Sequence, residues 1–353
     1  MQPSVSNFLE TADFIGAKLC RDAMWAGQRC NWFGVPVTAV QRSVASEAQG
    51  ICGPDLYSGT SGIAIFLARL FAATGEKIFR MTAEAAIRQA LSRLDHFPPD
   101  TRVDFYKGLT GVAYSLFETA ESCGIEKFNE MGLLIMEDVA GDDSFNDCSD
   151  PATVPALLRM HQRYQTDFLL QLATKCGDEL RNRSGVNAAS AMLELFGATG
   201  EKNFRQAAEA ILLSDPVETT TDDSQTGRAY LRAFELLGDD NYAARAREVT
   251  KTVRSRIQSL TDDVDFSLPR GLAAAADLLL EASRVLGEDD WRRTAERVGN
   301  WGIERYSKDD LPWPCGSTNG WDAPSFMHGL AGIGYFYLRL HDSVAVPSVV
   351  FGL

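Results

Sequence analysis

A short glycine-centred turn followed by an apolar helix recurs seven times, and this repeat constrains the fold more than any other feature. The clearest copy is MHGLAGIGY at residues 327–335. Neighbouring copies lie roughly 35 to 58 residues apart, the interval expected of a two-helix unit with its loops. The other copies are YSGTSGI at 57–63, YKGLTGV at 106–112, a degenerate copy CSDP at 148–151, RSGVNA at 183–188, SQTG at 224–227 and PRGLA at 269–273.

The helices between these turns are predicted to be of two alternating kinds. Residues 63–71 (IAIFLARLF) carry apolar side chains almost all round, as a helix buried on both sides would. A Gly-Glu or Gly-Asp turn and a more amphipathic helix then follow, as at 77–94 and 202–213. Strand signals are nearly absent. The pattern predicts an all-α protein, an α/α toroid of about seven inner and seven outer helices in one domain spanning 1–353. An open solenoid is the alternative, but it requires polar caps.

The glycines have a predicted structural role at these turns. A glycine lets the chain bend sharply into a helix and lets neighbouring backbones approach each other. We expect it to leave the first-turn N–H groups of each inner helix bare and directed at one central cavity. Each such helix end favours an anionic group by about 0.3–1 kcal/mol. The alternative is that the glycines serve only close packing.

Three irregular stretches are predicted from their proline, glycine and polar residues. They cover residues 31–54, 215–223 and 311–324. The last two directly precede the fifth and seventh turns, so their loops would lie over the entrance to the cavity. Binding surfaces are usual on such loops.

Composition limits the classes of partner and the cellular setting. The formal net charge of −14 is spread along the 353 residues, which disfavours nucleic-acid binding because that requires Lys and Arg to meet phosphates. We expect no signal peptide, because residues 1–10 contain neither a basic n-region nor an apolar h-region. We expect no membrane span, because no charge-free apolar stretch approaches about 20 residues. The seven cysteines lack any Cys-x-x-Cys spacing. Reduced thiols and a cytoplasmic location are therefore expected.

The two ends of the chain resemble the lanthionine-synthetase cyclase family. The segments DLYSGTSGIAIFLA at 55–68, HGLAGIGYFYLRL at 328–340 and VPSVV at 346–350 carry the likeness, which is weak from about 140 to 270. They look most like the cyclase part of fused dehydratase–cyclase enzymes. The resemblance implies an α/α toroid that adds cysteine thiols to dehydroalanine or dehydrobutyrine, closing thioether rings. The implied partners are a ribosomal precursor peptide and a dehydratase or kinase.

Family members usually bind zinc through Cys, Cys and His in the fifth and sixth turns, and this chain departs at every ligand. Its fifth turn reads DDSQTG at 222–227, in which Asp222 and Asp223 are the only ligand types. In the sixth turn Pro269 stands at the Cys position and Arg270 at the His position. The family's fourth-turn histidine is also missing from RSG at 183–185. We therefore expect neither a metal nor another cofactor.

Three residues are the predicted catalytic groups. Thioether closure needs a thiolate, stabilisation of an enolate and a proton donor to the α-carbon. His328 is the predicted acid/base group, and Arg270 supplies positive charge. Asp104, four residues before the second-turn glycine, would orient His328 or hold peptide backbone. The predicted substrate contacts are Tyr57, Tyr106, Cys315 and Trp321.

Each of these residues also has a purely structural interpretation. His328 would then only hydrogen-bond a neighbouring loop, and Asp104 would cap its helix. Arg270 would pair with Asp263 or Asp265. In the same way Cys315 would be an ordinary loop residue rather than a reactive thiol.

Two functions therefore remain open at this point. The first is zinc-independent thioether ring formation on a dehydrated precursor peptide. The second is a non-catalytic peptide- or dehydratase-binding module derived from a cyclase. A glycosidase would need a pair of carboxylates in the cavity, and only Asp104 is a clear candidate.

Overall fold

Helices dominate the structure. The computed structural model describes residues 6–34, 50–141, 148, 150–181, 183–214, 223–258, 265–307, 311–315 and 322–350. Fourteen α-helices lie within these ranges, as the repeat predicts. They are α1 (Ser6–Asp22), α2 (Thr60–Thr74), α3 (Lys77–Leu91), α4 (Leu109–Cys123), α5 (Glu126–Ala140), α6 (Thr153–Tyr164), α7 (Asp167–Leu180), α8 (Val186–Thr199), α9 (Lys202–Ser214), α10 (Asp223–Leu237), α11 (Asp240–Gln258), α12 (Leu272–Leu286), α13 (Asp289–Gly302) and α14 (Leu330–His341).

Short elements complete the described residues. Two antiparallel strand pairs lie near the N-terminus: β1 (Met24–Ala26) with β2 (Arg29–Asn31), and β3 (Phe33–Gly34) with β4 (Gly50–Ile51). Part of the lead-in predicted as irregular therefore forms strands. Single 3₁₀ turns span Leu94–His96 and Pro99–Thr101, and a π-helical turn spans Ile303–Ser307.

The chain divides into two compact units. The first comprises residues 1–138, 264–273 and 299–347. Within it α1 packs on α14, and α2 packs on α3, α4 and α14. The single domain expected from the sequence stays a prediction. In the first unit the N-terminal and C-terminal repeats are thus packed together.

The second unit comprises residues 139–263, 274–298 and 348–353. Consecutive helices pack as hairpins here: α6 with α7, α8 with α9, and α10 with α11. Helix α8 also contacts α6, α7 and α10. Its burial matches the apolar sequence of that helix, whereas α9 and α11 leave many side chains exposed.

The predicted alternation of apolar and amphipathic helices is confirmed in the first unit. Every residue of α14 from Leu330 to Leu340 is buried, as are Thr60–Ala68 of α2. Each large apolar side chain buried in this way stabilises the fold by about 1.5–3 kcal/mol. Helix α3, by contrast, buries one face only. No helix in the described part of the chain combines the length and apolarity needed to cross a membrane.

A left-handed residue ends most of the apolar helices. Gly75 follows α2 with φ of 76°, and its N–H donates to the carbonyl of Phe71. This is the glycine C-cap that the Gly-Glu turns predict. Helix α6 ends instead at Gln165, whose φ of 52° makes it a strained non-glycine cap.

The fifth turn differs from the prediction. Gly227 lies inside α10, which begins four residues earlier at Asp223. It is a packing residue, since an added Cβ would lie 2.8 Å from Leu278 Cδ2. The predicted turn at Gly227 was wrong, because glycine is favoured both at a sharp turn and where two helices pack closely. Asp222 lies outside the described residues.

Candidate functional site

Four glycine turns of the first unit share one construction. In each, the first helical N–H donates to the carbonyl seven residues earlier: Thr60 to Gly53, Leu109 to Arg102, Leu272 to Asp265 and Leu330 to Ala323, at 2.7–2.9 Å. In two turns the side-chain hydroxyl of the following residue also donates to the carbonyl seven residues earlier: Ser61 to Pro54 and Thr110 to Val103. Each turn is therefore a closed loop.

Glycine is required where these loops close. A Cβ on Gly62, Gly111 or Gly332 would lie 2.1, 1.9 or 1.8 Å from the carbonyl oxygen six residues earlier. Backbone oxygens in a hydrogen-bonded turn cannot move that far. The second glycine of the Gly-x-x-Gly motif thus permits the loop to fold back on its own helix.

This geometry corrects one expectation. The first N–H of α2, α4, α12 and α14 was expected to be bare and is instead used within its own turn. An N–H that already donates to a carbonyl offers little to a ligand.

Backbone hydrogen bonds join the four turns side by side. Tyr57 N–H donates to the Tyr106 carbonyl, Met327 N–H to the Tyr57 carbonyl and Leu268 N–H to the Met327 carbonyl, each at 3.0 Å. The order is therefore second, first, seventh, sixth turn. We call this arrangement the turn ladder. It places residues from both ends of the chain next to each other.

The turn ladder aligns the four residues that directly precede the helix-capping glycines. They are Lys107, Ser58, His328 and Arg270, in ladder order. The Nζ of Lys107 lies 5.6 Å from the centroid of the Tyr57 ring. Two cationic side chains thus flank a tyrosine and a histidine in a chain whose net charge is −14.

The tyrosine and histidine form a hydrogen-bonded pair. The Tyr57 hydroxyl lies 2.7 Å from Nε2 of His328, and the two rings meet edge to face at a centroid distance of 5.3 Å. Both side chains are half-buried. Nδ1 of His328 is buried and has no hydrogen-bond partner among the described residues.

Both members of this pair are held in their neutral forms. Burial lowers the pKa of His328 below its usual 6.5; Asp265 opposes that shift, and Arg270 adds to it. Burial likewise raises the pKa of Tyr57 above 10, partly offset by Arg270. At neutral pH the contact therefore joins an uncharged imidazole and an uncharged phenol.

Arg270 and Asp265 are the charged groups that act on the pKa of His328. Arg270 is exposed, and no ion pair among the described residues includes it. Asp265 instead uses Oδ1 to accept the Ser267 N–H at 2.7 Å. The alternative partner Asp263 lies outside the described residues. The turn ladder places the turn that contains Arg270 beside the turn that contains His328.

Asp104 lies in the second turn, and its predicted role beside His328 stays a prediction. It is half-buried in the second turn, at the position that Asp55 occupies in the first. There Asp55 is buried and accepts the Ser58 N–H at 2.7 Å, which holds the turn. The negative charge that acts on His328 comes from Asp265. The sequence analysis considered this residue only as a partner of Arg270.

The remaining predicted contacts are placed as follows. Tyr106 is buried and meets Tyr57 edge to face at 6.2 Å. Cys315 is buried, and desolvation raises the pKa of its thiol to about 12, so it is a thiol rather than a thiolate. Trp321 lies outside the described residues.

The zinc that the resemblance implies does not fit the residues present. Pro269 offers no donor atom, and the guanidinium of Arg270 repels a cation. The described residues contain no group of three His, Cys, Asp or Glu side chains that could hold a metal ion. Asp223, which the sequence offered as a possible ligand in the fifth turn, has its backbone in α10. The site therefore offers proton exchange and positive charge.

A comparison with family models identifies one match. The model described as lanthionine synthetase C-like protein matches residues 50–147 and 226–351. These ranges contain the four turns of the ladder and omit the third and fourth turns. No curated protein sequence is significantly similar to the chain.

Solved structures with the same fold share little sequence. "Nisin cyclase" is 14% identical, with a TM-score of 0.61 over 83% of this chain and 89% of that one. An unsaturated glucuronyl hydrolase specific for heparin is 11% identical, with a TM-score of 0.52 over 97% and 96% of the two chains. Together with the helices, these matches confirm the predicted all-α fold of the α/α toroid class.

Proposed function

Because the chain belongs to the lanthionine synthetase C-like family, we propose that it closes thioether rings in a dehydrated precursor peptide without zinc. The reaction is addition of a cysteine thiol to dehydroalanine or dehydrobutyrine. His328 with its partner Tyr57 supplies acid/base chemistry, and Arg270 supplies positive charge. A dehydratase or kinase would prepare the peptide.

One observation carries this proposal. The 2.7 Å contact between Tyr57 and His328 lies beside Arg270 and Lys107 on the turn ladder. An acid/base pair next to fixed positive charge matches the needs of thiol addition, because both the thiolate and the enolate are anions. Asp104 is proposed to hold the peptide backbone at the neighbouring turn.

The proposed independence from zinc rests on the chemistry of the residues at the expected ligand positions. A metal would lower the thiol pKa by direct coordination. Arginine stays protonated in proteins and cannot coordinate a cation. It does provide a field that favours the thiolate, so Arg270 takes over part of the electrostatic role at the same position.

The test uses a synthetic peptide with one dehydroalanine and one cysteine. Ring closure leaves the peptide mass unchanged, so it is followed by thiol alkylation and mass spectrometry. We expect free thiol to disappear faster with the protein than without it, and the rate to be the same after EDTA treatment. Metal analysis of the purified protein should find well under one zinc per chain.

A control separates this function from the alternative. His328→Gln should lose most of the rate enhancement while the helical circular dichroism stays unchanged. Binding of the peptide without any acceleration by the unaltered protein would favour the non-catalytic binding module. Stoichiometric zinc, or activity lost with EDTA and restored by zinc, would overturn the metal-free mechanism.

A further inference from the structure

We propose that the Tyr57 hydroxyl, rather than the imidazole of His328, exchanges the proton with the peptide. This inference rests on the proposed function and makes Tyr57 a catalytic residue. His328 becomes the positioning residue that takes up and returns the proton. The sequence had suggested only a substrate contact for Tyr57.

The geometry leaves the imidazole no direct route to a ligand. Nε2 of His328 is engaged by Tyr57 at 2.7 Å, and Nδ1 is buried without a partner among the described residues. A general base must come within hydrogen-bond reach of the proton it removes. Any ligand proton that reaches this histidine therefore passes through the Tyr57 oxygen.

The contact also defines a resting state. With Tyr57 donating to Nε2, the neutral imidazole carries its own proton on Nδ1. That nitrogen is enclosed, so its proton does not take part in exchange. The Tyr57 oxygen keeps its lone pairs available to accept a proton from a thiol.

The proposed cycle is balanced. The peptide thiol gives its proton to the Tyr57 oxygen as the Tyr57 proton passes to Nε2, leaving a thiolate and an imidazolium. The sulfur bonds to the β-carbon of dehydroalanine, and the electron pair of the double bond moves to the α-carbon and its carbonyl. Tyr57 then donates its proton to the α-carbon, and the imidazolium returns its proton to the tyrosine. The product is an isomer of the starting peptide, and the pair regains its first state.

The surrounding charges suit both halves of this cycle. Lys107 and Arg270 face Tyr57 and stabilise the thiolate and the enolate. Asp265 and Arg270 face His328 with opposite effects. Burial makes the imidazolium a stronger acid than free histidine, so it readily gives the proton back.

The experiment compares three variants in the thiol-alkylation assay. Tyr57→Phe removes the hydroxyl, and His328→Gln keeps a hydrogen-bonding group beside it. Tyr337→Phe is the matched control: its hydroxyl donates to the Gly299 carbonyl at 2.8 Å. That tyrosine lies seven residues into α14 from Leu330, roughly 10 Å along the helix. Circular dichroism and thermal melts verify the fold of each.

The configuration of the new α-carbon is the decisive readout. The unaltered protein and Tyr337→Phe should give one configuration. Tyr57→Phe should lose at least about 100-fold in rate, within the range for general acid–base catalysis, and its residual product should contain both configurations. In His328→Gln the residual rate above background should rise with pH, because Tyr57 must then ionise by itself beside Lys107 and Arg270.

Three results would overturn this assignment. A Tyr57→Phe protein with near-normal rate shows that the hydroxyl is dispensable. A slow Tyr57→Phe protein that still yields one configuration shows that Tyr57 only positions other groups. Inactivity of the unaltered protein would contradict the proposed function itself. The first two results contradict only the role of Tyr57.

Discussion

The hydroxyl of Tyr57 and Nε2 of His328 lie 2.7 Å apart although 271 positions separate the two residues in the sequence. The turn ladder causes this proximity, because Met327 donates its N–H to the Tyr57 carbonyl. The side-chain pair and the backbone bond thus reinforce each other. Residues from the first and seventh turns thus meet in one hydrogen-bonded pair.

Removal of the Arg270 charge should change the titration of this pair. Arg270→Gln should raise the pKa of both His328 and Tyr57, because the guanidinium lowers both. We expect ring closure to slow at least about tenfold, a modest electrostatic loss. NMR titration of His328 measures the first effect and the thiol assay the second. Arg270→Lys keeps the charge and should retain the lower histidine pKa; equal pKa values in all three proteins would contradict the assignment.

Stability should depend on pH through His328. Its folded-state pKa lies below the usual 6.5, so the unfolded chain takes up the proton first as pH falls. The free energy of unfolding should therefore decrease from about pH 7 downward, through about 6.5 and on toward the folded pKa.

His328→Gln is the matched variant for this effect. Its free energy of unfolding should change less over the same interval, so the difference between the two proteins should narrow in acid. Urea titrations at several pH values measure this. Parallel pH curves for both proteins would show that the histidine is not held neutral.

The second glycine of the seventh turn should not tolerate a methyl group. In Gly332→Ala the new Cβ would lie 1.8 Å from the Phe326 carbonyl oxygen. Relief of that clash requires the turn to open, so we expect a loss of about 3 kcal/mol or more in unfolding free energy. Ala331→Gly, one residue earlier, should cost only about 1 kcal/mol. Comparable losses in denaturant titrations would argue against the tight turn.

Native cysteines should resist alkylation. Burial raises the thiol pKa to about 12 at four positions and to about 11 at the half-buried Cys20. Because the thiolate is the reactive form, labelling at these four should be at least about 100-fold slower than for free cysteine at pH 8. The four are Cys30, Cys52, Cys123 and Cys315.

Mass spectrometry of protein treated with iodoacetamide would measure this resistance. Cys20 should be modified before the four buried thiols, and denatured protein should be labelled throughout. Rapid modification of Cys315 in the folded protein would revive its interpretation as a reactive thiol. Slow labelling also means that the assay reports on the peptide thiol.

The fold could be predicted from the sequence because two independent patterns agree on it. Apolar residues all round α2 and α14 require burial on every side, and the glycines mark where each helix begins. Gly227 shows the limit of this reasoning. The same residue type serves a turn at Gly62 and a helix contact at Gly227, and only the neighbours in space distinguish the two.

The site could be predicted only in part. Arg270 and His328 stand directly before capping glycines, and that shared position could also have singled out Lys107. The contact of His328 with Tyr57 depends on the register between the first and seventh turns. Backbone hydrogen bonds set this register, and no side-chain pattern in the sequence indicates it. The burial of Nδ1 likewise results from packing around the ring.

The hydrogen bond between Met327 and Tyr57 has a consequence for synthesis on the ribosome. A contact between residues so distant in sequence forms late and slows folding, because a long loop must close first. The first turn is translated early yet lacks its histidine until the final helix has left the exit tunnel. Nascent chains that stop short of His328 would thus carry Tyr57 without its hydrogen-bond partner.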